Sequence, residues 1–140
     1  MNKISDDILC KVEKPSRYVG GELNQVIKNP KDVDIRFAFC FPDVYEVGMS
    51  HLGTRILYHT INLREDTYCE RTFAPWPDME ELMRKNNIPL YTLETKDSLD
   101  KFDILGFTLQ YEMSYTTVLN MIDLAQIPVK ASERGEDDPI

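Results

Sequence analysis

The sequence predicts an α/β fold with a doubly wound, mostly parallel sheet. Residues 34–41 and 103–109 are apolar runs of strand length, rich in aromatic and β-branched side chains. Each run leads through a loop into an amphipathic helical pattern, at residues 51–64 and 113–125. A chain that alternates strands with amphipathic helices is typical of a parallel sheet that has helices on both faces.

The first strand and the first long helix follow from local patterns. The second half of residues 34–41 is almost continuously apolar, which indicates a strand buried on both faces. After a loop, Ser50 is predicted to cap a helix that begins at His51 and continues to about Arg64. The apolar side chains of this helix share one face, at Leu52, Ile56, Leu57 and Ile61.

The next elements alternate in the same way. A second strand is predicted at residues 67–73 and a helix at residues 77–86, where Pro77 suits the first turn. The acids of this helix precede its bases, as the helix dipole favours, in the order Asp78, Glu80, Glu81, Arg84, Lys85. A short strand is predicted at residues 89–95, and Ser114 is predicted to cap the last helix.

The chain divides into an N-terminal arm at residues 1–33, an α/β domain at residues 34–132 and a mobile acidic tail at residues 133–140. In the arm, Ser5 is predicted to cap a short helix. A doubly wound fold requires another buried strand after its last helix, so we expect the chain to be cut inside a longer protein. The sheet edge left bare would favour self-association.

The composition excludes several classes of partner. The 140 residues suffice for one domain, and 16 basic against 24 acidic side chains give a net charge of −8. This balance disfavours binding to nucleic-acid phosphates or to an anionic membrane. The acidic N-terminus and the absence of a long apolar run predict a cytoplasmic protein. The cysteines are too widely spaced for a disulfide framework or a metal knuckle, at Cys10, Cys40 and Cys69.

Two loops are candidate ligand-binding elements, because open parallel sheets bind ligands at the carboxyl ends of their strands. We name residues 41–53 the first loop and residues 108–115 the second loop, and we expect them to lie side by side. Each leads into a helix N-terminus, which suits an anion. Their candidate cofactor-binding residues are Pro42, Asp43, Tyr45, Gly48, Met49, Ser50, His51, Gly53, Thr108, Gln110, Tyr111, Glu112, Ser114 and Tyr115.

Neither loop carries a dinucleotide fingerprint, a phosphate loop, a zinc-protease motif or a nucleophile elbow. We therefore predict no catalytic residue and no metal ligand in this chain. Simpler interpretations stay open for some of the candidates. Ser50 and His51 can be a helix cap and a solvent-facing side chain, and Gln110, Tyr111 and Glu112 can be polar loop residues at a strand end.

Four segments of the sequence resemble one group of proteins. They are VEKPSRY at residues 12–18, AFCFPDVYEVGMSHLG at residues 38–53, ERTFAPWPDM at residues 70–79 and GFTLQYEMSY at residues 106–115. The group is the bacterial radical S-adenosylmethionine proteins with an N-terminal cobalamin-binding-like domain, most of them functionally uncharacterised. The resemblance runs from about Cys10 to the last residue.

The resemblance implies a flavodoxin-like fold of the cobalamin-binding type. It also implies that the full-length protein is an enzyme that binds a four-iron, four-sulfur cluster and cleaves S-adenosylmethionine to a radical. The domain with the cluster motif C-x-x-x-C-x-x-C would follow Ile140 and would be this chain's partner in cis. The present chain alone would then be catalytically silent, and no cofactor is expected to stay bound to it.

Cobalamin domains of the best-known type carry an Asp-x-His-x-x-Gly loop, and this sequence departs from it. Met49 stands two residues before His51, and Gly53 follows only two residues after it. Two hypotheses therefore remain. The chain is a cofactor-binding or substrate-capping module with cobalamin as a possible cofactor, or a degenerate domain that recognises substrate or docks on the radical domain. A stand-alone receiver or flavin domain is disfavoured, because Asp43 alone follows the first strand.

Overall fold

The strands form a parallel sheet whose order is β2-β1-β3. In the computed structural model, which describes residues 4–140, the sheet consists of β1 (Ile35–Phe41), β2 (Thr67–Phe73) and β3 (Ile104–Phe107). Both strand pairs are parallel. The predicted α/β class with a parallel sheet is confirmed, and the strand order matches the first three strands of a flavodoxin-like fold.

The helices are α1 (Asp6–Leu9), α2 (Tyr45–Ser50), α3 (Leu52–Asn62), α4 (Pro77–Lys85) and α5 (Ser114–Leu124). Four of the helices lie in the predicted segments, with bounds that differ by a few residues, and α2 forms within residues 41–53, which were predicted to be a loop. Short 3-10 turns occur at Pro15–Arg17, Leu99–Lys101 and Ala131–Glu133. No helix within residues 4–140 combines the length and the apolar character that a bilayer span requires.

The two faces of β1 enter two different apolar cores. Ala38 and Cys40 are fully buried among side chains of α4 and α5. Phe39 and Phe41 alternate with them and pack on the opposite face, against Tyr58 of α3. Each buried aromatic side chain contributes roughly 1.5–3 kcal/mol to the stability of the folded state. The sheet is therefore covered by helices on both faces, as the apolar pattern of β1 predicted.

The close approach of β1 to β3 requires a glycine. A β-carbon at Gly106 would lie 2.3 Å from the Phe37 ring, so no larger residue fits beneath that ring. Residue 106 lies directly opposite Phe39 in the register of the two strands. The glycine thus lets a phenylalanine of β1 lie across the neighbouring strand.

The predicted caps of the two long helices were wrong. The helix after β1 breaks at His51, whose extended backbone separates α2 from α3. His51 itself caps α3, since its Nδ1 accepts a hydrogen bond of 3.2 Å from the Thr54 N–H. The Ser50 hydroxyl instead donates to the Val47 carbonyl within α2. Ser114 is the first residue of α5 rather than its cap, and its side chain is buried.

The predicted strand at residues 89–95 is also wrong, although this segment does border the outer edge of β2. The Leu93 N–H donates to the Arg71 carbonyl at 2.8 Å, and the Thr72 hydroxyl donates to the Tyr91 carbonyl at 2.9 Å. The Arg71 N–H bonds to the side-chain carboxylate of Glu94 rather than to a backbone carbonyl. Side chains therefore replace the regular ladder that a strand would make.

A buried carboxylate joins this segment to the sheet. The Glu70 side chain is fully buried, and its Oε1 accepts from Arg36 Nη2 at 2.7 Å. Its Oε2 accepts from the Thr92 hydroxyl at 2.7 Å and from the N–H and hydroxyl of Thr95 at 3.0 and 2.6 Å. The donors lie on β1 and on residues 92–95, whereas Glu70 lies on β2, so the carboxylate joins three segments of the chain.

The N-terminal arm packs against the domain. Val12 is buried in the core under α4 and α5, and the Tyr18 hydroxyl accepts a hydrogen bond of 3.1 Å from the Trp76 N–H. Gly20 has a φ of +65°, and a β-carbon there would lie 2.2 Å from the Leu93 carbonyl oxygen. Ser5 precedes α1 as predicted, but its side chain makes no capping hydrogen bond.

The end of the acidic tail is held, contrary to the expected mobility. The Ile140 N–H donates to the Asp103 carbonyl at 3.0 Å, and the Leu105 N–H donates to the Ile140 carbonyl at 2.9 Å. Residue 140 thus occupies the start of the free edge of β3. The Phe107 N–H faces the same edge, because backbone groups of alternate residues point to the same side of a strand. Self-association through this edge stays a prediction.

We expect Glu70→Ala to lower the free energy of unfolding by about 3–5 kcal/mol, because it leaves the donors of Thr92 and Thr95 without their acceptor and leaves Arg36 with only the Asp97 carboxylate, at 3.0 Å. Urea denaturation followed by circular dichroism measures this loss. Glu81→Ala is the matched control, since Glu81 is exposed on α4 and its loss should cost no more than about 0.5 kcal/mol. Equal midpoints for the two variants would show that the buried carboxylate contributes nothing.

The contact between the arm and α2 should weaken in acid. Arg17 donates to the Glu46 carboxylate at 2.9 Å, and this hydrogen bond lowers the pKa of Glu46 below its ordinary value. The contact therefore stabilises the fold above the ordinary pKa of a glutamate and is lost as the pH falls through the lowered one. Amide hydrogen exchange at residues 14–18 should accelerate on acidification, after correction for the intrinsic rate. Glu46→Gln should remove this extra acceleration, and Glu81→Gln should retain it.

Candidate functional site

The two predicted loops leave the same edge of the sheet. Cys40 of β1 lies opposite Phe107 of β3, so the two parallel strands end side by side. After β1 the chain passes through α3, on one face of the sheet, and continues to β2. After β3 it enters α5, which packs on the opposite face. Divergence of this kind at the carboxyl ends of neighbouring strands is where open α/β sheets bind ligands.

The start of the first loop is used for packing. Pro42 is buried, and the Asp43 carboxylate accepts the N–H of the next residue at 2.7 Å. The Tyr45 hydroxyl donates to the Glu22 carboxylate of the arm, and burial raises the pKa of this phenol to about 12. A β-carbon at Gly48 would lie 2.2 Å from the Phe73 ring, so glycine is required there. These four candidates therefore have structural roles in the fold.

The end of the first loop forms the corner between α2 and α3. Met49 is half-buried, and its sulfur lies 3.6 Å from Nη1 of Arg71. The His51 ring packs 5.3 Å from the centre of the Phe41 ring. A β-carbon at Gly53 would lie 2.8 Å from His51 Cε1, so Gly53 provides room for the histidine to turn back and cap α3.

The second loop, in contrast, presents its side chains to the outside. Gln110 and Glu112 are exposed. Large side chains on this loop and the first turn of α5 are also exposed, at 49% for Leu109, 53% for Tyr111, 76% for Met113 and 58% for Tyr115. Leu109 and Met113 were not among the predicted site residues. Their signal in the sequence was the alternation of apolar and polar residues across a loop.

Thr108 begins the second loop with an unpartnered hydroxyl. Its Oγ1 is buried and has no hydrogen-bond partner within residues 4–140. Most buried polar groups in proteins are hydrogen-bonded, so an orphan at the end of β3 is a feature that a bound partner could satisfy. Ser114, at the other end of this loop, is buried beneath it.

His51 does not fit as an axial metal ligand in this arrangement. A backbone N–H always donates, so the bond from Thr54 requires an unprotonated Nδ1 and places the proton of the neutral ring on Nε2. Coordination through Nε2 would move that proton to Nδ1 and break the cap of α3. In this arrangement His51 therefore does not fit as the lower ligand of a cobalamin.

The cysteines do not fit as cluster ligands either. Cys40 and Cys69 are fully buried in the two cores on opposite faces of the sheet, and Cys10 is exposed on the arm. Burial raises the pKa of the Cys40 thiol, and it raises the pKa of the Cys69 thiol to about 12; both shifts disfavour the thiolate that binds metals. Across the described residues, no group of three or more His, Cys, Asp or Glu side chains is placed to hold a metal ion.

Comparison with known proteins identifies the family. The model of the family described as radical SAM proteins, N-terminal, matches residues 53–140. The match covers nearly all of α3, then β2, α4, β3 with the second loop, and α5, which is more than half of the chain. No curated protein and no solved structure matches the chain. The chain therefore belongs to the family of N-terminal regions of radical SAM proteins.

Proposed function

We propose that this chain is a docking and capping module whose second loop packs on the radical SAM domain of the same protein. The observation that carries the proposal is the exposure of four large side chains in that loop, next to the unpartnered Thr108 hydroxyl. Single exposed apolar residues are ordinary, but a group of them on one loop is typical of an interaction surface. Because the chain belongs to the N-terminal regions of radical SAM proteins, the radical SAM domain is the partner that we propose for this surface.

The second loop is supported by rigid elements on both sides. β3 is paired with β1, and α5 buries Met121 and Leu124 in the core. A loop held in this way can present side chains to a partner with little ordering cost. Its apolar groups would exclude water from a radical site, and Gln110, Tyr111 and Glu112 offer hydrogen-bonding groups to a substrate.

In the full-length protein, the family implies an iron–sulfur cluster and S-adenosylmethionine. This chain's role in that enzyme would be to shield and orient, because its buried thiols on opposite faces suit no cluster. We favour a domain that caps or docks on the radical SAM domain without a cofactor of its own over a domain that binds cobalamin. The support is that His51 is used as a cap and that Pro42, Asp43, Tyr45 and Gly48 are used in packing.

Hydrogen exchange tests the docking role. In a protein that contains this chain together with its radical SAM domain, we expect the amides of residues 108–113 to exchange about tenfold more slowly than in the 140-residue chain alone. Met113→Glu should abolish this protection, because it places a charge in the interface. Leu119→Glu is the matched control, since Leu119 is 49% exposed on α5 outside the second loop. Equal exchange with and without the radical SAM domain would contradict the proposal.

A titration with hydroxocobalamin separates the two forms of the hypothesis. We expect His51→Ala to cost about 1 kcal/mol of stability through loss of the cap, measured by urea denaturation. The full-length protein should retain no hydroxocobalamin through gel filtration, and retained cobalamin would establish a cofactor-binding module. The visible spectrum of added hydroxocobalamin should also be the same for the native and the His51→Ala protein. A spectrum that depends on His51 would instead establish axial ligation and a cofactor-binding module.

A further inference from the structure

A groove lies beside α3, away from the second loop. Its volume is about 660 Å³, which is within the range of small-molecule sites. One wall is the outer face of α3, and the other wall is residues 22–26 of the arm. The arm wall is fixed, because the Val26 N–H donates to the Tyr58 hydroxyl at 2.8 Å and the Tyr68 hydroxyl donates to the Val26 carbonyl at 3.2 Å.

The floor of this groove contains a buried guanidinium that is only partly satisfied. Arg71 is 4% exposed, and its Nε donates to the Glu94 carboxylate at 2.8 Å. The guanidinium carbon lies 4.1 Å from the centre of the Tyr58 ring. Nη1 contacts only the weak sulfur acceptor of Met49, and Nη2 is buried with no partner within the described residues. Leaving a buried charged donor unsatisfied is costly, so the group is poised to take an acceptor.

The charges and apolar groups around Arg71 define what the groove can accept. Its lining carries two cations, Arg55 and Arg71, against one carboxylate, Glu22, which already accepts the Tyr45 hydroxyl. The Glu94 carboxylate balances the charge of Arg71, so the attraction for an anion comes from the unused donors of Arg71 and from Arg55 rather than from a net positive charge. Exposed apolar side chains flank the cations, namely Leu23, Leu52 and Ile56.

Met49 lines the same groove and contacts the guanidinium. Its thioether is unbranched and flexible, and its sulfur lies 3.6 Å from Nη1 of Arg71. A change of side-chain conformation at Met49 would open Arg71 to the groove without moving the backbone. Arg71 and the exposed Arg55 could then donate together to one anionic group.

We propose that this groove binds a small organic anion whose carboxylate or phosphate group accepts hydrogen bonds from Arg71 and Arg55. The apolar body of the ligand lies along Leu52 and Ile56 of α3. This site differs from the second loop in its position and in its chemistry. The docking role and the anion site can therefore fail independently of each other.

A fluorescent anion provides the direct test. Anilinonaphthalene sulfonate combines an apolar ring system with one anionic group, and phenylnaphthylamine is its neutral parent. We expect the sulfonate to bind the 140-residue chain at least about tenfold more tightly than the neutral parent, because charged hydrogen bonds add to the apolar contact. The Arg71 side-chain Nε–H signal in the nitrogen–proton NMR spectrum should shift on addition of the sulfonate. Equal affinity for the two probes, or an unmoved Arg71 signal, would overturn the proposal.

Surface variants assign the binding to the groove. Arg71 is a poor target, since its loss would leave Glu94 buried without its partner. Arg55→Ala should weaken sulfonate binding about fivefold, and Ile56→Glu should abolish it, because both residues are exposed on α3. Lys85→Ala removes an exposed cation from α4 on the other face of the sheet and should leave binding unchanged. If Arg55→Ala and Ile56→Glu bind the sulfonate as Lys85→Ala does, the groove is not the site.

Discussion

The buried carboxylate of Glu70 is the interaction on which the outer edge of the sheet depends. β2 is an edge strand, and an edge strand needs its backbone groups satisfied. A non-strand segment does this at Arg71, where Glu70 holds the segment through its two threonines, and the Asn62 side chain does it at Cys69. The arm then packs on that segment, with the Tyr91 hydroxyl donating to the Tyr18 carbonyl. One desolvated acid thus sets the position of the segment and, through it, of the arm.

Local patterns predicted the elements whose residues face a single environment. The position of β1 followed from an apolar run, the end of β2 followed from the prolines after Phe73, and the start of α4 followed from Pro77. The failures were tertiary in origin. His51 rather than Ser50 became the cap because it packs on Phe41, and residues 89–95 lost their strand because carboxylates of Glu70 and Glu94 took the place of a backbone ladder. Local sequence patterns do not reveal contacts between residues that are far apart in the sequence.

The sequence predicted where the two loops lie, but not which of their side chains are exposed. Parallel strands that end together put both loops at one edge, which the alternation of elements already implied. The sequence could not show that Tyr45 and Gly48 would serve packing while Leu109 and Met113 would face outwards. The groove at Arg71 was beyond reach for the same reason. Its walls come from the arm, α3 and β2, which meet only in three dimensions.

The pairing of β1 with β3 also constrains how the chain can be made. Arg36 and Asp103, at the start of these strands, are 67 residues apart in the sequence. At about 5–20 residues per second, synthesis of that interval takes roughly 3–13 s. During this time one edge of β1, with its three phenylalanines, has no neighbouring strand on the nascent polypeptide. The central strand of the sheet is therefore incompletely paired until β3 has been synthesised. A chaperone that binds β1 on the ribosome would protect the nascent chain at the stage when it is most prone to aggregate.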